Sequence, residues 1–97
     1  MREQIFSIIK EAITELNEEL DYDSLVNVNE LTPIFGGEEG IDSLSLVMLV
    51  TDVESAIFDQ MDQSISLADE KAMSMRNSPY RNVAALLEFA LSKVEAI

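Results

Sequence analysis

The sequence predicts an all-α fold: a small antiparallel four-helix bundle of three main helices plus a short third, with a long loop between helices one and two. Three observations lead there. Apolar residues recur at helical spacing in three separate stretches, and no stretch shows convincing strand alternation. One long connection, residues 21–42, gathers Pro33, Gly36, Gly37 and Gly40. With 97 residues there is chain for a single modest core, so residues 1–97 are expected to form one domain.

Residues 3–20 read as the first helix. Ile5, Ile9, Ala12, Ile13, Leu16 and Leu20 recur at helical spacing, while Glu3, Lys10, Glu11, Glu15, Glu18 and Glu19 populate the remainder. At about 1.5 Å per residue it is about 27 Å long. Its acidic end opposes the helix dipole and is expected to fray before Asp21-Tyr22-Asp23. In the connection that follows, Leu25, Val26, Val28, Leu31, Ile34 and Phe35 suggest packing over the bundle, several of them lying down on it. Asp21-Tyr22-Asp23-Ser24-Leu25 does not begin a calcium loop. The required glycine falls at Val26 and the terminal glutamate at Thr32, so no metal site is assigned.

The second helix runs from Ser43 to Asp59 or Met61. Leu46, Val50, Val53 and Ile57 share one face and form its core stripe. Leu44 and Met48 point nearly opposite, with Val47 and Thr51 to one side. Leu44 and Met48 are read as an exposed apolar patch that meets partners, and Val47 fits either that patch or a buried position under a loop. Ser66-Leu67-Ala68-Asp69 offers a helix start, giving a short helix over 67–75 with Ala72, Met73 and Met75 inward. Ser78-Pro79 offers a cap and a first-position proline for the last helix. Tyr80, Val83, Ala84, Leu87, Leu91 and Val94 make its inner stripe.

Composition narrows the function. Six Lys+Arg against 19 Asp+Glu give a net charge of −13, which repels nucleic acid and anionic membranes and favours basic protein partners. There is no cysteine and no histidine, so disulfides, cysteine–zinc sites and Ser-His-Asp catalysis cannot be built. The run after Met1-Arg2-Glu3 is broken at Lys10 and Glu11 and does not read as a signal peptide. Leu44 to Val50 is too short to span a bilayer. A cytoplasmic protein without membrane insertion is expected.

The turn Gly40-Ile41-Asp42-Ser43-Leu44 joins the long loop to the most apolar helix. Taken alone, its serine reads as an N-cap. Without a base in the chain it is a poor nucleophile, but an adequate acceptor when another enzyme supplies the chemistry. The motif, mid-chain in a small acidic helical domain, resembles the acyl carrier protein family, and the likeness extends over essentially the whole chain.

The resemblance implies that Ser43 is the attachment point of covalent 4'-phosphopantetheine, delivered from coenzyme A by a separate phosphopantetheinyl transferase. Gly40, Ile41, Asp42 and Leu44 complete the attachment motif. It also implies a non-catalytic, monomeric carrier that holds acyl intermediates as thioesters and presents them to acyl-activating, acyl-transfer or condensing enzymes. Leu44, Val47, Met48, Thr51, Asp52 and Glu54 are the partner-binding candidates. Family members usually have acids in the first turns after the serine, whereas this chain has Ser45 and Met48 there and its first acids are Asp52 and Glu54. The stretch over 62–77 is also longer than in compact members. Both departures point to a specialised carrier. A peptidyl carrier using the same arm, or an unmodified acidic interaction domain, are the alternatives.

Overall fold

The computed structural model describes residues 2–22, 25–35, 41–67 and 79–95. Among these residues the secondary structure is helical, in three helices: α1 (Arg2–Leu20), α2 (Ser43–Met61) and α3 (Val83–Glu95). The short helix expected over 67–75 lies outside the described residues, apart from Leu67, which is buried and not in a helix.

One apolar cluster joins the three helices, with α1 packed against both α2 and α3. Most of the expected stripes are buried: Ile5, Ile9, Ala12, Ile13 and Leu16 on α1, Leu46, Val50, Val53 and Ile57 on α2, and Val83, Leu87, Leu91 and Val94 on α3, whereas Leu20 and Ala84 are half-buried. Each large side chain fully withdrawn from water contributes about 1.5–3 kcal/mol before chain entropy is set against it. The buried faces are broader than the stripes. Ile8 and Leu49 are also inside, as are Leu86 and Ala90 on α3.

The end of α1 has a specific stop. Asp21 takes a left-handed conformation (φ 56°), and its N–H donates to the Asn17 carbonyl at 2.8 Å. The Asn17 side chain accepts from the Tyr22 N–H (2.7 Å) and donates to the Tyr22 carbonyl (3.2 Å). An aspartate tolerates this region better than most residues.

Beyond the helices one sequence expectation holds for several of its residues and one is corrected. Leu25, Val28 and Ile34 do lie in the core, but Val26 and Leu31 are exposed. The last helix starts at Val83 and not at Ser78-Pro79. The Asn82 side chain takes the capping role, accepting from the Ala85 N–H at 2.8 Å. Residues 80–82 are instead spent on pairing with the long loop. The Ile34 and Phe35 N–H groups donate to the Arg81 and Tyr80 carbonyls, each at 3.1 Å, around an antiparallel bridge between Pro33 and Asn82. The Val83 and Ala84 N–H groups return bonds to the Thr32 and Glu30 carbonyls.

The same ladder sets the start of α2. Ile41, itself buried, donates its N–H to the Ile34 carbonyl at 2.7 Å, so the residue two before α2 hangs from a strut pinned to the start of α3. Past α2, Asp62 turns left-handed (φ 53°) and its N–H closes on the Phe58 carbonyl. The chain then reaches Leu67, whose side chain is buried, whose N–H donates to the Glu54 carboxylate and whose carbonyl accepts from the Tyr80 hydroxyl.

Candidate functional site at the start of α2

Asp42 is the N-cap of α2. Its backbone is extended (φ −77°, ψ 172°), its Oδ1 accepts from the Ser45 N–H at 2.7 Å, and its carbonyl accepts from the Leu46 N–H at 2.9 Å. Ser43 therefore occupies the first helical position, and the capping role that a serine here could have held belongs to its neighbour. A helix supplies no internal acceptor to the N–H groups of its first turn. Asp42 takes that of Ser45, which leaves those of Ser43 and Leu44 without an acceptor inside α2. Together with the positive end of the helix dipole they favour an anion at this point. No acid lies within the first turn of α2 itself.

The hydrogen bonds from Ser45, first from its N–H and then from its side chain, hold the Asp42 carboxyl below the ordinary aspartate pKa of 3.8. With a folded pKa lower than the unfolded one, the stabilisation is complete above the ordinary aspartate range and is lost as pH falls through the folded value. Asn caps about as well as Asp but does not titrate. Wild type is therefore expected to lose its advantage over Asp42→Asn on acidification through and below the ordinary aspartate range, with Asp42→Ala below both at neutral pH. Thermal midpoints across that range check this, and parallel wild-type and Asn curves would count against it.

The site residues distribute as follows. Ile41 is a buried anchor, and Gly40 lies outside the described residues. Leu44 is 72% exposed, and Val47, Met48, Thr51 and Asp52 are also exposed. Val47 thus joins Leu44 and Met48 on the open face. Ser45 does not: it is buried, so it offers partners little of the ground it occupies in sequence. Glu54 is half-buried, with its carboxylate on the Leu67 N–H, so it holds the chain after α2.

The apolar face is longer than the helical spacing of Leu44, Val47 and Met48 alone implies. Phe58 is 53% exposed and stands seven residues after Thr51 and eleven after Val47, which places it along the same side of α2. That spacing is legible in the sequence. The charge context is legible as well, since no lysine or arginine occurs between Glu11 and Glu70 and α2 carries Asp52, Glu54 and Asp59 without a base.

Comparison with known proteins gives no match: no protein-family model fits the chain, and neither a curated protein nor a solved structure is significantly similar to it. Among the described residues, no helix is long and apolar enough to cross a membrane, and no group of His, Cys, Asp or Glu is arranged to hold a metal ion.

Proposed function

We propose that this chain is an acyl carrier protein: a single non-catalytic domain, completed as a four-helix bundle by a short helix that follows Leu67, that bears phosphopantetheine on Ser43. The observation carrying this reading is the placement of Asp-Ser-Leu, with Asp42 capping α2 and Ser43 at its first position. The surroundings fit a phosphodiester. They are exposed on both sides, at Asp42 and Leu44, and the start of α2 favours negative charge.

The chain's own residues have limited tasks. Asp42 keeps the helix end closed while the Ser43 hydroxyl serves as acceptor. The transferase supplies the base that takes the hydroxyl proton and the coenzyme A whose pyrophosphate bond breaks, releasing adenosine 3',5'-bisphosphate. When attached, the arm supplies the terminal thiol that the cysteine-free polypeptide lacks and holds an acyl group as a thioester. Tethering raises the local concentration of cargo without any catalytic side chain in the carrier. Leu44, Val47 and Met48 give partner enzymes an apolar contact beside the attachment point, and Asp52 steers basic surfaces toward it in a salt-dependent way.

Intact mass tests this directly. The purified chain, incubated with coenzyme A and a broad-specificity phosphopantetheinyl transferase, is expected to gain the mass of one phosphopantetheinyl group, and Ser43→Ala to gain none. No gain beside a working control carrier counts heavily against the reading. An equal gain in Ser43→Ala moves the site elsewhere.

A further inference from the structure

Away from the start of α2, a surface groove of about 640 Å³ opens between the first turns of α1, the turn at 29–31 and α3. Phe6, Leu31 and Leu87 give it apolar walls, and Arg2, Glu3 and Glu30 stand with them. Leu87 is fully buried and Phe6 half-buried, while Leu31 is 83% exposed.

The exposure of Leu31 is built in. Its N–H donates to Asn29 Oδ1 at 2.8 Å, the Asn29 N–H donates to Thr32 Oγ1 at 2.9 Å, and the Thr32 N–H donates to the Asn29 carbonyl at 3.1 Å. The Glu30 and Thr32 carbonyls on either side accept from Ala84 and Val83 at the start of α3. A leucine is thus held out on a turn pinned at both flanks. Binding against it requires little further ordering of the backbone.

The charges choose the occupant. Arg2 bonds both Glu30 and Glu88, and these bonds, to Glu88 first, raise its pKa further. Glu3 and Glu30 both line the groove, and the one cation there, Arg2, is already compensated by Glu30 and Glu88. A fatty carboxylate or an anionic membrane meets repulsion here, and a second copy would bring the same acids and another −13. A segment with apolar side chains flanked by lysine or arginine matches both walls and rim.

We propose that this groove docks an apolar, basic segment of a partner protein, with Leu31 as the principal contact. The inference does not depend on modification of Ser43.

The test uses the full chain, labelled with nitrogen-15, and a short synthetic peptide of alternating leucine and lysine. Saturable amide shifts are expected at Phe6, Leu31 and Leu87, weakening as salt rises. They should vanish when the peptide's lysines become glutamates or its leucines become serines. Leu31→Ser should weaken binding roughly tenfold or more, with an unchanged circular dichroism spectrum. Shifts spread evenly over the acidic surface or centred on Leu44 and Met48, unaltered affinity in Leu31→Ser, or equal binding of the glutamate peptide would each overturn the proposal. So would a dimer in sedimentation that Leu31→Ser dissociates, because the occupant would then be a second copy.

Discussion

Leu46→Glu is expected to unfold the chain, whereas Met48→Glu, two positions on, should fold normally and, under the proposed function, be loaded by a phosphopantetheinyl transferase roughly tenfold more slowly. The contrast follows from helix geometry. Leu46 is 1% exposed within the cluster joining the three helices, and a carboxylate there would be ionised without a partner or forced to keep its proton. Such a change costs more than about 4 kcal/mol, against a total stability of about 5–15 kcal/mol for a domain of this size. At Met48 the same carboxylate remains in water and leaves the packing alone. What it removes is apolar area beside Ser43. Thermal unfolding of both variants, paired with loading rates for Met48→Glu, checks the two halves. Unfolding of Met48→Glu would make Met48 a core residue. Unchanged loading would show that the transferase does not read this face.

That contrast is legible in the amino-acid sequence because α2 is long and its apolar residues are dense enough to phase. Its buried stripe and the exposure of Leu44 and Met48 follow from a period of about 3.6 residues. Periodicity carries less where tertiary contacts override local signals. Ser78-Pro79 is a sound local start for a helix, yet residues 80–82 pair with residues 33–35, nearly fifty positions away, and the start moves to Val83. No local rule foretells that exchange. Leu31 escapes for a related reason. An apolar residue in a loop has no period to assign its side, and Asn29 turns it outward. The burial of Ser45 is hidden as well, because a small hydroxyl residue carries little information about its side of a helix. At the site itself, the motif marks Ser43 as the residue of interest, but which member of the Asp-Ser pair caps α2 depends on backbone geometry that either residue could adopt.

The second large effect is expected at Tyr80. Tyr80→Phe keeps the ring, including its edge-to-face contact with Phe89 at 6.0 Å between centroids, and removes the hydroxyl that serves the Leu67 carbonyl. A buried carbonyl deprived of its donor costs about 1–3 kcal/mol, enough to lower the midpoint by several degrees at this chain length. Glu54 holds the same residue from its other side, through the N–H. If the two side chains act as one clamp, Glu54→Ala and Tyr80→Phe together should cost less than the sum of their separate effects, by more than about 0.5 kcal/mol. Urea unfolding of the two single variants and the double variant measures this. Strict additivity would mean that the grips are independent. A loss below about 0.5 kcal/mol in Tyr80→Phe alone would mean that the Leu67 carbonyl finds another donor, such as water.

Because Asp42 closes the start of α2, the helix need not be remade when position 43 changes. Under the proposed function, bare and substituted forms are expected to retain the same cap, so that their spectra can be compared amide by amide against a common baseline. The same constancy then has a biological side. Successive enzymes would meet an unaltered docking surface whatever stage the cargo had reached. They would have to tell those stages apart by the cargo itself, since the shape of the helix that carries it would hold no record of its history.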